Sequence, residues 1–338
     1  MWRASPLLLA ACATACTGTT PPLSDAGPDD VAPRPDVLDR DVPRPDDGPD
    51  LPGIDASPAG CTTLPPGAPP EIRPLRVMPG VTCVRYPHAL VGPRDAIEVA
   101  DGTVFVSEMG AGRIARFAGG TWSPYVDGLV APIGLRALAD GSLVVAEEHA
   151  HRLSRVRNGV RETVAEDLGN VTYLTLDAQE RVYVSSFTAF APTGTLWQIA
   201  LTPGAAPRAF ATGLNVPEAL RFDPDGTLLA AEWNAPSRIL RFAPTGGPAT
   251  AAQTVAAGFS GVYGLARLAS GALLVAHHNR DVAAHGEVVR IAPDGTRTVV
   301  LGDIKTPGGI TVTPGGDVLV TEFHGGGSVG YLIRLSGL

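Results

Sequence analysis

Ionisable and polar side chains recur at two matching positions in six related segments of this 338-residue chain. The residues at the later position are Glu108, Glu147, Ser186, Glu232, His277 and Glu322. The residues at the earlier position, fourteen places upstream in each segment, are Arg94, Ile133, Thr172, Glu218, Tyr263 and Gly308. Carboxylates and imidazoles grouped in this way could perform general acid and base catalysis or bind a metal ion.

Some glutamates at the later position have a structural interpretation. In three segments an arginine follows the glutamate five or six residues later, whereas the segment with Ser186 has no such arginine. The three pairs are Glu108 with Arg113, Glu147 with Arg152, and Glu232 with Arg238. Because acid and base occur together and are lost together, we interpret these pairs as framework. His277 and Glu322 break the pattern, and unpaired ionisable groups at a concave surface are better candidates for a functional site.

The candidate site combines residues of the later segments. If the protein is an enzyme, we expect His277, Tyr263 and Glu322 to be catalytic, with the phenol positioning a proton that the imidazole accepts. Ligand contacts are predicted for Glu218, Glu232, Trp233, His278, Phe323 and His324. A divalent cation (Ca²⁺, Mg²⁺ or Zn²⁺), if one is bound, is predicted to have as ligands Glu218, His277, Glu322 and His324. The residues leave open whether this site binds a ligand or catalyses a reaction.

Short strands must position these residues. Each segment contains an apolar run, a turn with glycine, and a second apolar run that ends at the later position. The later positions are separated by 39, 39, 46, 45 and 45 residues. Continuous apolar runs are typical of strands covered on both faces, and no stretch has the period of a long helix. Repeats of about 40 to 50 residues predict an all-β fold, a six-bladed β-propeller.

The last segment lacks its fourth strand, and a stretch ahead of the first segment can supply it. Residues 81–86 and 89–93 resemble residues 124–132, which lead from the first segment into the second. We therefore expect a strand at about 81–86 to close the last blade and remove the exposed edges. Since an antiparallel pair joined by a tight turn returns to the same end, both positions should line one mouth of the central channel.

The repeat also resembles known families. Residues 132–135, 140–141, 145–147 and 152–155 together look like an NHL-type repeat, and like the units of streptogramin lyases and SMP-30/gluconolactonase-like propellers. This resemblance covers roughly residues 81–338 and is specific for the fold, since such propellers include enzymes and binding domains. It implies, as the alternative to ligand binding, a metal-assisted hydrolase or lyase. In the lactonases Asp, Asn and Glu at the earlier position hold the cation, and only Glu218 matches; the histidine that lyases have there is missing.

The N-terminal region has a different composition. Residues 1–16 resemble a bacterial lipoprotein signal peptide, with an arginine, an apolar run at 7–11 and a lipidation site at Cys12 or Cys16. Residues 17–60 are predicted to be a disordered linker, because residues 21–60 contain ten Asp, ten Pro and three Arg. That stretch carries −7 of the formal net charge of −8.

The remaining residues, 61–338, are predicted to form the propeller. Cys61 and Cys83 form an even pair in a chain that leaves the cytosol, so we expect a disulfide between them. The nearly neutral charge of this region gives no indication of nucleic-acid binding. We expect an exported monomer, attached to a bacterial membrane only through its lipid and located in the periplasm or at the cell surface. Its leading predicted function is binding of a small or extracellular ligand at the channel mouth.

Overall fold

The computed structural model describes residues 59–62, 64, 73–202, 204–279, 285–323 and 329–338. In these ranges the chain forms 28 strands and two 3-10 helices, Glu148–Ala150 and Ala249–Ala251. The described residues contain no helix long and apolar enough to cross a membrane. The predicted signal peptide and nearly all of the predicted linker lie outside the described residues.

The first strands of the chain are short and are followed by blades built from consecutive antiparallel strands. The short strands are β1 (Ala59–Gly60), β2 (Arg76–Val77), β3 (Thr82–Arg85) and β4 (Leu90–Val91). Blade 1 consists of β5 (Pro93–Glu98), β6 (Val104–Glu108), β7 (Arg113–Ala118) and β8 (Thr121–Val126). Blade 2 consists of β9 (Pro132–Ala137), β10 (Leu143–Glu147), β11 (Arg152–Arg157) and β12 (Val160–Ala165).

The next two blades follow the same order, with one added strand. Blade 3 consists of β13 (Asn170–Leu176), β14 (Val182–Phe187), β15 (Gly194–Ile199) and β16 (Arg208–Leu214). Blade 4 consists of β17 (Pro217–Phe222), β18 (Leu228–Glu232), β19 (Ser237–Phe242) and β21 (Gln253–Phe259). Between β19 and β21, the short strand β20 (Gly247–Pro248) pairs in parallel with the outer strand of blade 3.

The last two blades involve the short N-terminal strands. Blade 5 consists of β22 (Val262–Arg267), β23 (Leu273–Asn279), β24 (His285–Ile291) and β25 (Arg297–Ile304). Blade 6 contains β26 (Pro307–Val312), β27 (Val318–Glu322) and β28 (Val329–Ser336). Strand β2 pairs with β25, and β3 pairs with β28, so β3 is the fourth strand of blade 6. The predicted closing strand is therefore confirmed.

The first strands of the six blades contact one another in a closed ring around the channel, in the order β5, β9, β13, β17, β22, β26 and back to β5. Glycines in these strands allow the close approach. A Cβ atom at Gly134 would lie 2.7 Å from the Cα of Tyr173, and one at Gly264 would lie 2.7 Å from the carbonyl oxygen of Gly308. The channel is consequently narrow. The predicted all-β, six-bladed propeller is confirmed.

Tight turns return the chain from the first strand of a blade to the second. In five blades the turn contains a glycine with φ between 79° and 90°, a conformation that L-residues adopt rarely. These glycines are Gly102, Gly141, Gly226, Gly271 and Gly316. The turn brings the end of the second strand back beside the start of the first, as in the pairing of Pro93 with Glu108. Both candidate positions therefore lie at one end of each blade, which we call the mouth.

The predicted disulfide between Cys61 and Cys83 is present, with the two Cα atoms 5.5 Å apart. Both residues are buried in the apolar core between blades 5 and 6. The bond attaches the segment after β1 to the closing strand β3.

Replacing both cysteines, as Cys61→Ala with Cys83→Ala, should lower the free energy of unfolding by about 3 kcal/mol, because the unfolded chain regains the freedom of a loop of about 22 residues. Urea denaturation measures this change. A reductant should shift the midpoint of the wild type in the same direction and leave that of the double variant unchanged. A wild-type midpoint that does not respond to reductant would contradict a stabilising role.

Candidate functional site

Four glutamates at the later position make the same bond. Each carboxylate is buried and accepts a hydrogen bond from the backbone N–H seventeen residues earlier, in the segment that leads into its blade. The N···O distances are 2.7 Å from Val91 to Glu108, 2.8 Å from Val130 to Glu147, 2.9 Å from Asn215 to Glu232 and 3.3 Å from Lys305 to Glu322. The carboxylates thus tie the incoming segment to the end of the second strand.

Arginines pair with three of these carboxylates, as the sequence predicts. The shortest N···O distances are 2.5 Å between Arg113 and Glu108, 2.8 Å between Arg152 and Glu147, and 2.7 Å between Arg238 and Glu232. Burial raises the pKa of Glu147, but hydrogen bonds from Arg152 and Ser154 outweigh it, so the pKa lies below its ordinary value. A carboxylate held ionised in this way supports the structure and is poorly suited to accept a proton in catalysis.

The prediction that Glu322 lacks an arginine partner is wrong. Arg85, at the end of the closing strand β3, donates from Nη2 to Oε2 of Glu322 at 3.0 Å. The two side chains are 0% and 1% exposed. Burial raises the pKa of Glu322, and the charge of Arg85 opposes this rise. The partner was missed because it lies 237 residues earlier in the chain rather than five residues later. The main reason for assigning catalysis or metal binding to Glu322 is thereby removed.

Blade 3 replaces the carboxylate with a hydroxyl group. Ser186 accepts a hydrogen bond from Nε1 of Trp197 at 2.9 Å, and the same indole N–H reaches the carbonyl of Leu168 at 3.3 Å. The serine and tryptophan together connect the second and third strands of the blade to the incoming segment, so this blade keeps the connection without an ion pair.

In blade 5 a histidine takes the place of the glutamate at the later position, and the carboxylate comes from the third strand. His277 lies opposite Glu287 in the strand ladder, with 3.9 Å between Nε2 and Oε2, and its ring meets the edge of Phe259. Burial, followed by the positive charges of His278 and Arg297, lowers the pKa of His277 to about 4. The imidazole is therefore neutral at pH 7. Its Nδ1 atom is buried and has no hydrogen-bond partner among the described residues.

An aromatic cluster occupies the mouth. Its buried members are Phe187, Val216, Trp233, Tyr263 and Phe323. The guanidinium carbon of Arg94 lies 4.1 Å from the ring centre of Phe323 and 5.2 Å from that of Tyr263, which is cation–π geometry. The carbonyl of Arg94 accepts hydrogen bonds from the hydroxyls of Tyr173 and Thr321. Side chains from blades 1, 3, 4, 5 and 6 thus meet at the mouth.

The structure brings together some of the predicted site residues. Trp233, Tyr263 and Phe323 share the aromatic cluster. Glu218 is the second residue of the inner strand β17, which directly follows Val216 of the same cluster. His277 instead packs against Phe259 and Glu287, so the described contacts do not unite it with Tyr263.

The other predicted ligand contacts differ in position. Glu232 belongs to the framework pairs, and the half-buried His278 donates its backbone N–H to the carbonyl of Gly261 at 3.0 Å. His324 lies outside the described residues.

Two members of the mouth were not among the predicted site residues. Arg94 occupies the earlier position of blade 1, and Phe187 follows the later position of blade 3. The signal for Phe187 was available, because Trp233 and Phe323 also directly follow the later position of their segments.

The described residues do not fit a divalent-cation site of the lactonase kind. Within the described ranges, no three His, Cys, Asp or Glu side chains are grouped closely enough to hold a metal ion. Apart from Glu218, the earlier position provides a guanidinium, a phenol, a hydroxyl and two residues without a ligating side chain, Ile133 and Gly308. Of the four predicted ligands, Glu322 is bound by Arg85 and Lys305.

Comparison with known proteins supports the fold. The sequence matches no family model and no curated protein. A gluconolactonase from Xanthomonas campestris is 15% identical, with 75% of this chain and 89% of that chain covered and a TM-score of 0.63. A protein from Thermus thermophilus proposed to be a glucose dehydrogenase is 18% identical, with coverage of 73% and 98% and a TM-score of 0.58.

A virginiamycin B lyase from Staphylococcus aureus is 14% identical, with 77% of this chain and 99% of that chain covered and a TM-score of 0.51. At such identities the likeness shows the fold alone. The protein is a six-bladed β-propeller, with the architecture seen in gluconolactonases and streptogramin B lyases, in agreement with the resemblance found in the sequence.

Proposed function

We propose that the protein binds a small ligand at the mouth of the propeller and does not transform it. The observation that carries this proposal is the use of the four glutamates at the later position, each of which holds a backbone N–H and an arginine. Carboxylates engaged in this way hold together the strand ends and incoming segments that form the mouth. The other side chains of the mouth are mainly aromatic, which favours binding.

The side chains of the mouth suit a ring compound with hydroxyl groups. Trp233, Tyr263 and Phe323 make the walls of the mouth apolar, and Arg94 and Glu218 add one cation and one carboxylate. All five side chains are buried, so a ligand must displace part of this packing to reach them. Ligand pockets typically combine mostly apolar walls with a few polar groups. A sugar acid or its lactone has this character, and the fold of gluconolactonases supports such a ligand class.

The alternative function is a hydrolase or lyase, which the shared fold with a gluconolactonase and a virginiamycin B lyase supports. In this alternative His277 is the candidate base, because its imidazole is neutral at pH 7 and can accept a proton.

Incubation with D-glucono-1,5-lactone separates the two functions. We expect the lactone to raise the melting temperature of the full-length protein, with no hydrolysis above the uncatalysed rate in the presence of Ca²⁺, Mg²⁺ or Zn²⁺. Glu218→Gln should abolish the thermal shift, and the matched control Glu162→Gln, on the exposed side of blade 2, should keep it. Hydrolysis that disappears in His277→Gln would favour the enzyme, and a lactone without any effect would contradict the ligand class.

We also propose that the protein is exported and anchored through a lipid on Cys12 or Cys16. The signal-like sequence and the disulfide between Cys61 and Cys83 support this location. Labelling with an alkyne-tagged fatty acid in a bacterial host should modify the wild type. It should be lost in one of the two variants Cys12→Ser and Cys16→Ser, the one that removes the lipidated cysteine. Labelling that persists in both variants would contradict the anchor. A monomer that binds no nucleic acid remains a prediction.

A further inference from the structure

A group of arginines lies at the end of the channel opposite the mouth, where the first strands of the blades finish. Arg136 and Arg221 occupy the same place in β9 and β17, and Arg267 ends β22. The equivalent residues of the other blades are uncharged: Ile97, Thr175, Ala266 and Thr311. The three arginines are half-buried, so part of each side chain is exposed. We call this group the arginine end.

Two of these arginines are neutralised by buried aspartates. Arg136 donates to Oδ2 of Asp95 at 2.7 Å, and Arg267 donates to Oδ1 of Asp223 at 2.6 Å. The same aspartates are already used elsewhere. Asp95 also accepts the backbone N–H groups of Leu135 and Ala96, and Asp223 also accepts a bond from Arg241. Their capacity for a further partner is therefore small.

Arg221 forms no salt bridge with a carboxylate of the described residues. Its Nη2 atom donates weakly to the carbonyl of Arg267 at 3.4 Å, and its Nε atom is buried without a hydrogen-bond partner in the described part of the chain. Burial, followed by the positive charges of Arg136 and Arg267, lowers the pKa of Arg221, and only Asp223 opposes this shift. The three arginines of the arginine end thus share two aspartates, one of which also pairs with Arg241, and the excess positive charge lies on Arg221.

Two further features accompany this excess charge. The hydroxyl of Thr311, in the matching place of blade 6, is also buried without a hydrogen-bond partner among the described residues. A cavity of about 10 Å³ lies inside the channel between Asp95, Arg136 and Tyr173, which is room for about one water molecule. Unused donors of this kind are costly unless a ligand or water satisfies them.

We propose that the arginine end binds an oxyanion, a phosphate or carboxylate group, through the guanidinium group of Arg221. A planar guanidinium group presents paired N–H donors that match the oxygens of both anions, and such charge-assisted bonds are strong. The anion pairs with the guanidinium group of Arg221 and offsets the repulsion among the three arginines. This site is independent of the proposed function, since it lies at the other end of the channel.

Thermal denaturation of the full-length protein tests the site, with inorganic phosphate and acetate as separate probes and chloride holding the ionic strength constant. We expect one of the two anions to raise the melting temperature saturably, by about 3 °C at ten times its dissociation constant. Arg221→Gln should raise the apparent dissociation constant at least about tenfold, because it removes a charge-assisted pair of bonds. Arg116→Gln removes the same charge from an exposed place on β7 and should leave the response intact.

The melting temperature in chloride alone provides a second readout. Arg221→Gln should not lower it, because the variant removes an unsatisfied buried donor and relieves repulsion. A saturable response to phosphate assigns a phosphate group to the site, and a response to acetate assigns a carboxylate. The proposal is overturned if neither anion gives a saturable response, or if Arg221→Gln responds like the wild type.

Discussion

Arg85→Met should lower the free energy of unfolding by about 3 to 5 kcal/mol, because it leaves the carboxylate of Glu322 buried without its charge partner. Both side chains are essentially inaccessible, at 0% and 1% exposure, so water cannot replace the lost contact. Arg85 also donates to the carbonyl of Arg73, which loses these bonds as well. Since β3 closes the ring of blades, the effect should appear as destabilisation of the whole domain in urea denaturation.

Two further variants separate the ion pair from a general effect of losing an arginine. Arg76→Met removes an arginine whose side chain is 61% exposed and contacts Glu287, and it should cost less than about 1 kcal/mol. Combining Arg85→Met with Glu322→Leu should recover much of the loss, because no unpaired charge is then buried. A loss below about 1 kcal/mol for Arg85→Met alone would contradict the framework role of Glu322.

The stability of the protein should fall by about 3 kcal/mol between pH 6.5 and pH 4 because of His277 alone. Its folded-state pKa of about 4 lies below the ordinary value of 6.5. As the pH falls through this window, the unfolded chain takes up a proton that the folded protein excludes, so unfolding becomes more favourable. The stabilisation that comes from the lowered pKa of His277 is fully present above pH 6.5 and is lost as the pH approaches 4.

His277→Gln should therefore lose less stability than the wild type between pH 7 and pH 4.5, measured as the free energy of unfolding in urea at each pH. His149→Gln is the matched control, because that side chain is 52% exposed, and its pH dependence should follow the wild type. Parallel curves for the wild type and His277→Gln would show that the imidazole titrates normally in the folded protein.

Repetition made much of the fold predictable. An arginine follows each of Glu108, Glu147 and Glu232 by five or six residues. The framework pairs could therefore be recognised before any contact was known. The closing strand was recognisable because residues 81–86 resemble the end of the first repeat. These features depend on local spacing, which the sequence displays directly.

Contacts between distant segments were not predictable in this way. The partner of Glu322 comes from β3, because the strand that closes blade 6 is the first major strand of the chain and not the last. The arginine end was missed for a related reason. Arg136, Arg221 and Arg267 belong to three blades, and only closure of the ring brings their charges close enough to influence one another.

The aromatic residues of the mouth illustrate a different limit. Trp233 and Phe323 were predicted as ligand contacts because they follow the later position. Both are buried in the aromatic cluster beneath Arg94 rather than exposed on loops. A position at the end of the second strand indicates which residues reach the mouth, but packing among several blades decides how far each ring is covered.

Titration calorimetry of D-gluconate into the full-length protein in the presence of EDTA tests the central claim most directly. We predict a saturable heat of binding with one site per chain, retained without any divalent cation and absent in Glu218→Gln. Binding that requires added Ca²⁺, Mg²⁺ or Zn²⁺, or that is unchanged in Glu218→Gln, would contradict a metal-free binding site at the mouth of the propeller.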